Sequence, residues 1–124
     1  MILGLGIDVV HVYRLRRWSK IPGLYQRFFN PDEIKACLPR GEAGILSLAA
    51  RFAAKEAFGK ALGTGLQGFS LREISVINNK NGKPIMYLSG RAEQAFKKFG
   101  GKKIFLSLSH EQYNALAVVI IEGN

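Results

Sequence analysis

The stretch Arg51–Gly65, RFAAKEAFGKALGTG, sets charged residues into a run of alanine and phenylalanine and closes on Gly-Thr-Gly. Residues three and four apart are neighbours on a helix. Glu56 therefore stands over Lys60, and Lys55 over Arg51, in two rows about 100° apart around the axis. The spacing predicts one polar edge of three cations and a carboxylate, with Ala50, Phe52, Ala53, Ala54, Ala57, Phe58, Ala61 and Leu62 around it. Such an edge suits a polyanion held partly by a metal ion. Read backwards, the helix begins near Ala43, and Gly63 and Gly65 stop it after Leu62. The small residues Ala53, Ala54, Ala57 and Gly59 predict close packing against a neighbouring element.

Outward from this helix, the N-terminal half reads as a strand and shorter helices. Ile2–Val9 is an apolar strand that carries Asp8. His11–Ser19 is a short helix with Arg14, Arg16 and Arg17 on its surface. Pro22-Gly23 breaks the chain. Asn30-Pro31-Asp32-Glu33 starts a further helix, with Asn30 as cap, proline in the first turn and acids against the dipole. That helix stops near Pro39.

In the C-terminal half, Leu71–Asn78 alternates apolar and polar residues as a half-buried strand does. Asn79-Lys80-Asn81-Gly82 is a turn signal, and Pro84–Leu88 returns as a second strand. Ser89 caps a helix through Phe99, ended by Gly100-Gly101. Two strands follow, Ile104–Ser109 and Ala115–Ile121. The expected class is α+β, a mostly antiparallel sheet with helices packed on it.

The length of 124 residues predicts one domain over residues 1–124 with a core of its own. A hydrophobic content of 48% excludes a disordered chain. A single cysteine, Cys37, forbids an intrachain disulfide and points to a reducing compartment. The opening MILGLGIDVV contains Asp8 and lacks a basic region, so it does not read as a signal peptide. No apolar run approaches the roughly 20 residues of a membrane span. Eighteen Lys and Arg against nine Asp and Glu give a net charge of +9, which steers the chain toward anionic partners.

Each candidate residue has a plain structural reading beside a functional one. Asp8, in an apolar run, is a paired or metal-bound carboxylate, or else an exposed strand-end acid or helix cap. Glu56 is an ordinary helix pair with Lys60, or one of two carboxylates that complete a magnesium site with phosphate oxygens and water. Gly63-Thr64-Gly65 is a helix stop or a backbone cradle for phosphate. His110 is structural or functional. Asn81-Gly82-Lys83-Pro84 is foremost a hairpin turn. Arg14, Arg16, Arg17, Lys20 and Arg27 are a solvated surface or a dock for something acidic. Cys37 is packing.

Taken in order, these segments resemble the holo-acyl-carrier-protein synthases, a class of phosphopantetheinyl transferase. Gly6-Ile7-Asp8, with Arg14 beyond it, is similar to their first motif. Arg51–Gly65 resembles their second motif almost without a gap. Asn81-Gly82-Lys83-Pro84 is similar to their hairpin turn. Ser107-Leu108-Ser109-His110, followed by Ala115, Ala117 and Val118, resembles their last motif. The likeness spans the chain, and its length fits the short, trimeric branch of the family.

The resemblance implies transfer of the phosphopantetheine arm of coenzyme A to a serine of an acyl carrier protein, with release of adenosine 3′,5′-bisphosphate. It implies that Asp8 and Glu56 hold Mg²⁺, and that Glu56, Lys60 and His110 serve the reaction. Arg51, Lys55, Lys60, Gly63, Thr64, Gly65 and His110 would bind coenzyme A. Gly82, Lys83 and Pro84 would meet its adenine end from a neighbouring subunit of a homotrimer. Arg14, Arg17 and Arg27 would dock the acidic carrier protein. A cytoplasmic place in fatty acid biosynthesis follows from the same likeness. His11 stands where many relatives carry glutamate, which leaves the metal shell to Asp8, Glu56 and water. The base that takes the serine proton is a carboxylate acting through water, or His110. The rival class is a basic module that binds nucleic acid. It leaves unexplained two acids, Asp8 and Glu56, that would repel phosphate unless a metal lay between them.

Overall fold

The long helix α4 spans Glu42–Leu62 and is the axis of the molecule. Its limits agree with the expected Ala43–Leu62 to within a residue. Gly63 stops it in the left-handed conformation, at a φ of 81°. In a computed structural model that describes residues 1–124, α4 lies on a sheet of three strands, β1 (Ile2–His11), β5 (Asn114–Glu122) and β4 (Lys103–His110). A separate hairpin of β2 (Ile74–Asn78) and β3 (Pro84–Leu88) makes a second sheet. All these pairings are antiparallel. The α+β class is as expected, and the single sheet of the sequence reading becomes two.

Close approach of β1 to α4 depends on glycine. A Cβ on Gly4 would lie 2.0 Å from the Ala61 carbonyl oxygen, and one on Gly6 would lie 1.9 Å from that of Ala57. Gly4, Gly6, Asp8 and Val10 alternate onto the α4 side of the strand, while Leu5, Ile7, Val9 and His11 face away and are exposed. Gly59 serves elsewhere. Its missing side chain admits the backbone of Gly65, whose carbonyl carbon would be 2.7 Å from a Cβ.

Three further helices pack on the N-terminal half: α1 (Val12–Trp18), α2 (Leu24–Phe28) and α3 (Pro31–Cys37). The five residues of α2 show no usable periodicity and were not expected from the sequence. In α3 the Asn30 side chain accepts from the Glu33 amide and Glu33 returns the bond to the Asn30 amide, closing a capping box.

The strand expected over Leu71–Asn78 is shorter, because Leu71–Glu73 is a 3₁₀ turn. Ser70 and Glu73 cap that turn reciprocally, which overrides the alternation in the sequence. Helix α5 (Gly90–Lys98) begins after Ser89, but the Ser89 side chain does not cap it. The Glu73 carboxylate accepts from the Arg91 amide instead, at 2.9 Å. No helix is long and apolar enough to cross a membrane.

Candidate active site

Asp8 enters from β1 and meets Lys60 of α4. Lys60 Nζ donates to Asp8 Oδ1 and to the Ile7 carbonyl, each at 3.0 Å. The Asp8 side chain is 15% exposed, whereas that of Lys60 is 55% exposed and still opens to solvent. One turn back on the same row of α4 is Glu56, half-buried. Burial pushes its carboxyl above the usual carboxylate range, and the neighbouring charge of Asp8 pushes it the same way. Arg14 and Lys60 pull in the opposite direction.

Two carboxylates on facing elements thus repel each other beside a cation with free donor capacity. A divalent ion relieves that repulsion, and hard oxygen donors suit magnesium. No third histidine, cysteine or acid joins them. The remaining shell of an ion held here would therefore come from substrate oxygens and water. His11 alternates onto the outer face of β1, away from Asp8, so it supplies nothing to this pair.

The shared polar edge expected of α4 is corrected by the structure. Arg51 and Lys55 turn inward, away from Glu56 and Lys60, and are 4% and 0% exposed. Arg51 Nε donates to the Val76 carbonyl at 2.9 Å, and its Nη2 reaches Asn78 Oδ1 at 3.3 Å. Lys55 Nζ donates to the carbonyls of Phe28 and Leu71, at 2.8 and 3.0 Å, and to Glu33 Oε1 at 2.6 Å. Its three protons are thereby used inside the protein, which leaves none for coenzyme A. Burial pushes the Lys55 ammonium down, and the Glu33 carboxylate against it opposes that shift. The physical reason is amphipathy on two sides: α4 has sheet on one flank and the α3–β2 region on the other.

The other residues lie further out. Gly63, Thr64 and Gly65 are exposed at the end of α4. The amides of Gly63 and Gly65 donate to the carbonyls of Lys60 and Gly59, both at 3.0 Å, so these two glycines form a helix stop. His110 ends β4, exposed, in register across Ala115 with Val10. It shares the α4 side of the sheet with Asp8 but lies two strands away, about 10 Å or more by strand spacing. Gly82, Lys83 and Pro84 form the exposed turn of the second sheet, where Asn79 Oδ1 accepts from the amides of Asn81 and Lys83. Arg14 and Arg27 rest on aromatic rings of α1, α2 and α4, and Arg17 rests on Tyr13.

Sequence reasoning missed Glu33 as a buried ion and the aromatic group under the arginines. The capping-box spacing Asn30 to Glu33 was legible. A second use of the same carboxylate, accepting from Lys55 and from the Val76 amide at 3.0 Å, was not.

Comparison with known proteins shows the family. Residues 4–118 match the 4'-phosphopantetheinyl transferase superfamily. A holo-[acyl-carrier-protein] synthase of Treponema denticola is 56% identical over 99% of this chain and 100% of that protein. The crystal structure of holo-[acyl-carrier-protein] synthase from Neisseria meningitidis superposes with a TM-score of 0.88 at 34% identity, over 98% of this chain and 99% of the other. The Bacillus anthracis holo-(acyl-carrier-protein) synthase, solved in complex with CoA (3',5'-ADP), gives a TM-score of 0.84 at 32% identity, over 100% and 99% of the two chains.

Proposed function

This chain belongs to the 4'-phosphopantetheinyl transferase superfamily, and on that footing we propose that it moves the phosphopantetheine arm of coenzyme A to a serine of an apo acyl carrier protein. Coenzyme A is split at its pyrophosphate, and adenosine 3′,5′-bisphosphate leaves. The observation that carries this reading is the pairing of Asp8 and Glu56 on facing elements, with Lys60 bonded to Asp8.

Asp8 and Glu56 are the residues that would hold Mg²⁺, which neutralises phosphate charge when bound. Lys60, anchored on Asp8 and the Ile7 carbonyl, directs its remaining donor capacity toward the pyrophosphate oxygens. Transfer of this kind depends on positioning and charge neutralisation more than on covalent help from the protein. His110 contacts coenzyme A or the leaving group. The serine proton passes to a carboxylate through water, or to His110. Thr64, in the turn of Gly63 and Gly65, faces the nucleotide. Arg51 and Lys55 act as scaffold, because neither side chain is free to meet substrate.

Gly82, Lys83 and Pro84 meet the adenine end from a neighbouring copy. That assignment requires an assembly, and the outer face of the three-stranded sheet provides a surface for one. Leu5, Ile7, Val9 and Phe105 stand there 63%, 53%, 55% and 48% exposed. Contiguous apolar surface of this kind marks an interaction face. We read it as the seam of a homotrimer. Arg14, Arg17 and Arg27 receive the acidic carrier protein, whose charge suits a chain of net +9. The reaction belongs in the cytoplasm, where the free thiol Cys37 stays reduced, and it serves fatty acid biosynthesis.

Incubation with coenzyme A, Mg²⁺ and apo acyl carrier protein, read by mass spectrometry, tests the reading. The carrier gains the mass of one phosphopantetheine arm. No gain with several carriers, together with salt-sensitive binding to nucleic acid, contradicts it.

A further inference from the structure

Three rings from three helices meet beneath two arginines. Trp18 of α1 lies 4.9 Å from Phe28 of α2 and 5.1 Å from Phe52 of α4, between ring centroids, and Phe28 lies 5.8 Å from Phe52. The Arg14 guanidinium stands 5.4 Å from the centre of Trp18 and 5.5 Å from that of Phe52. The Arg27 guanidinium stands 6.0 Å from the centre of Phe28. These distances are within the range of cation–π attraction.

The placement relates this group to the site. Arg14 and Trp18 are four residues apart on α1, so the arginine folds along its own helix onto the ring. Phe52 lies one turn before Glu56 on α4, in the row that continues to Lys60. The Phe28 carbonyl is held by Lys55, which fixes α2 to the same helix. Packing alone explains three rings in contact. It does not explain two cations at their outer edge, neither of them in a salt bridge. Arg16, by contrast, on the same short helix, is paired with Glu42.

A free arginine samples many rotamers, and a docking partner must freeze them. An arginine stacked on rings is ordered before the partner arrives. We propose that Trp18, with Phe28 and Phe52, is a positioning platform that presents Arg14 and Arg27 as a preorganised cation pair to the acidic carrier protein, beside Glu56. The proposal rests on the reading that the carrier docks on these arginines.

Steady-state kinetics with the full chain, coenzyme A and apo carrier protein test it. Trp18→Leu raises KM for the carrier about three- to tenfold, while KM for coenzyme A and kcat change by less than about twofold. Trp18→Phe, which keeps a ring, recovers most of the loss. In an Arg14→Ala background, Trp18→Leu has no further effect, because it acts through that arginine. Trp18 is also the only tryptophan. Its fluorescence in the wild-type protein therefore changes on addition of apo carrier and saturates, with no substitution needed.

Three outcomes overturn the platform alone: equal changes in kcat and both KM values, independent multiplication of the Trp18 and Arg14 effects, or silent fluorescence on carrier binding. If Arg14→Ala and Arg27→Ala leave KM for the carrier unchanged, the docking reading falls and the platform falls with it. Should Trp18→Leu fold poorly, Phe28→Leu must show the same split between carrier and coenzyme A, and equal effects on both overturn the proposal.

Discussion

Lys55 Nζ sits 2.6 Å from Glu33 Oε1, and neither side chain is exposed. The pair joins α4 to α3, and through further bonds to the carbonyls of Phe28 and Leu71 and the amide of Val76. Breaking one side of a buried pair leaves a charge with no partner, which costs about 3–5 kcal/mol. Lys55→Met should lower stability by that amount in urea denaturation. The folded fraction should keep its KM for coenzyme A, since Lys55 touches only protein. A selective rise in that KM with stability intact would return Lys55 to the substrate site.

Gly6→Ala should act on the site through the backbone. A Cβ there would lie 1.9 Å from the Ala57 carbonyl oxygen, so β1 must move off α4. Overpacking of this kind costs about 1–3 kcal/mol. A shift near 1 Å in Asp8 relative to Lys60 would lower kcat/KM by about a hundredfold. Wild-type activity in a folded Gly6→Ala protein would mean that the contact of Asp8 with Lys60 is dispensable.

Glu56 should make stability depend on pH. Burial and the Asp8 charge raise its pKa in the folded state, so folding favours the protonated form. The group's contribution is fully present below its unfolded pKa of about 4.3. It is lost as pH rises through the higher folded value. In metal-free protein, Glu56→Gln should therefore melt above the wild type near neutral pH and converge with it in acid. Melting curves at several pH values check this. A variant less stable than the wild type at neutral pH would refute it.

Leu5→Lys should break the proposed trimer without unfolding the chain. Leu5 is 63% exposed on the outer sheet face, opposite the α4 side that carries Asp8. A charge there has no cost in an isolated chain and a large one in an apolar seam. Light scattering should show the mass of one chain instead of three, with activity lost together with the neighbour's Gly82–Pro84 turn. A monomeric wild type would mean that no neighbouring copy contributes its Gly82–Pro84 turn to the site.

Much of this was legible in the sequence because the signals were local. The ends of α4, the turn at Asn79–Gly82 and the return strand Pro84–Leu88 each follow from residues within a few positions. Asp8 and Glu56 stood out as candidates in their local sequence, but that they belong to one site was legible only by resemblance, since Asp8 and Lys60 meet across 52 positions of chain. The inward turn of Arg51 and Lys55 was not legible. Helical spacing gives the angle between two rows, but not what packs against each. Lys55 finds its acid 22 residues upstream, in a carboxylate whose local pattern already explained it as a cap. The 3₁₀ turn at Leu71–Glu73 was hidden for a related reason. Its capping box lay under an alternation that also fitted a strand.

On the function proposed above, Asp8 and Glu56 form one carboxylate pair for Mg²⁺ in the transfer. The direct measurement is the carrier mass assay across a Mg²⁺ titration, with wild type and Glu56→Gln compared at equal fold content. Transfer should rise with Mg²⁺ in the wild type, stop with a chelator, and be absent in Glu56→Gln at ordinary Mg²⁺. Transfer by Glu56→Gln at the wild-type rate and with the same Mg²⁺ dependence would contradict it.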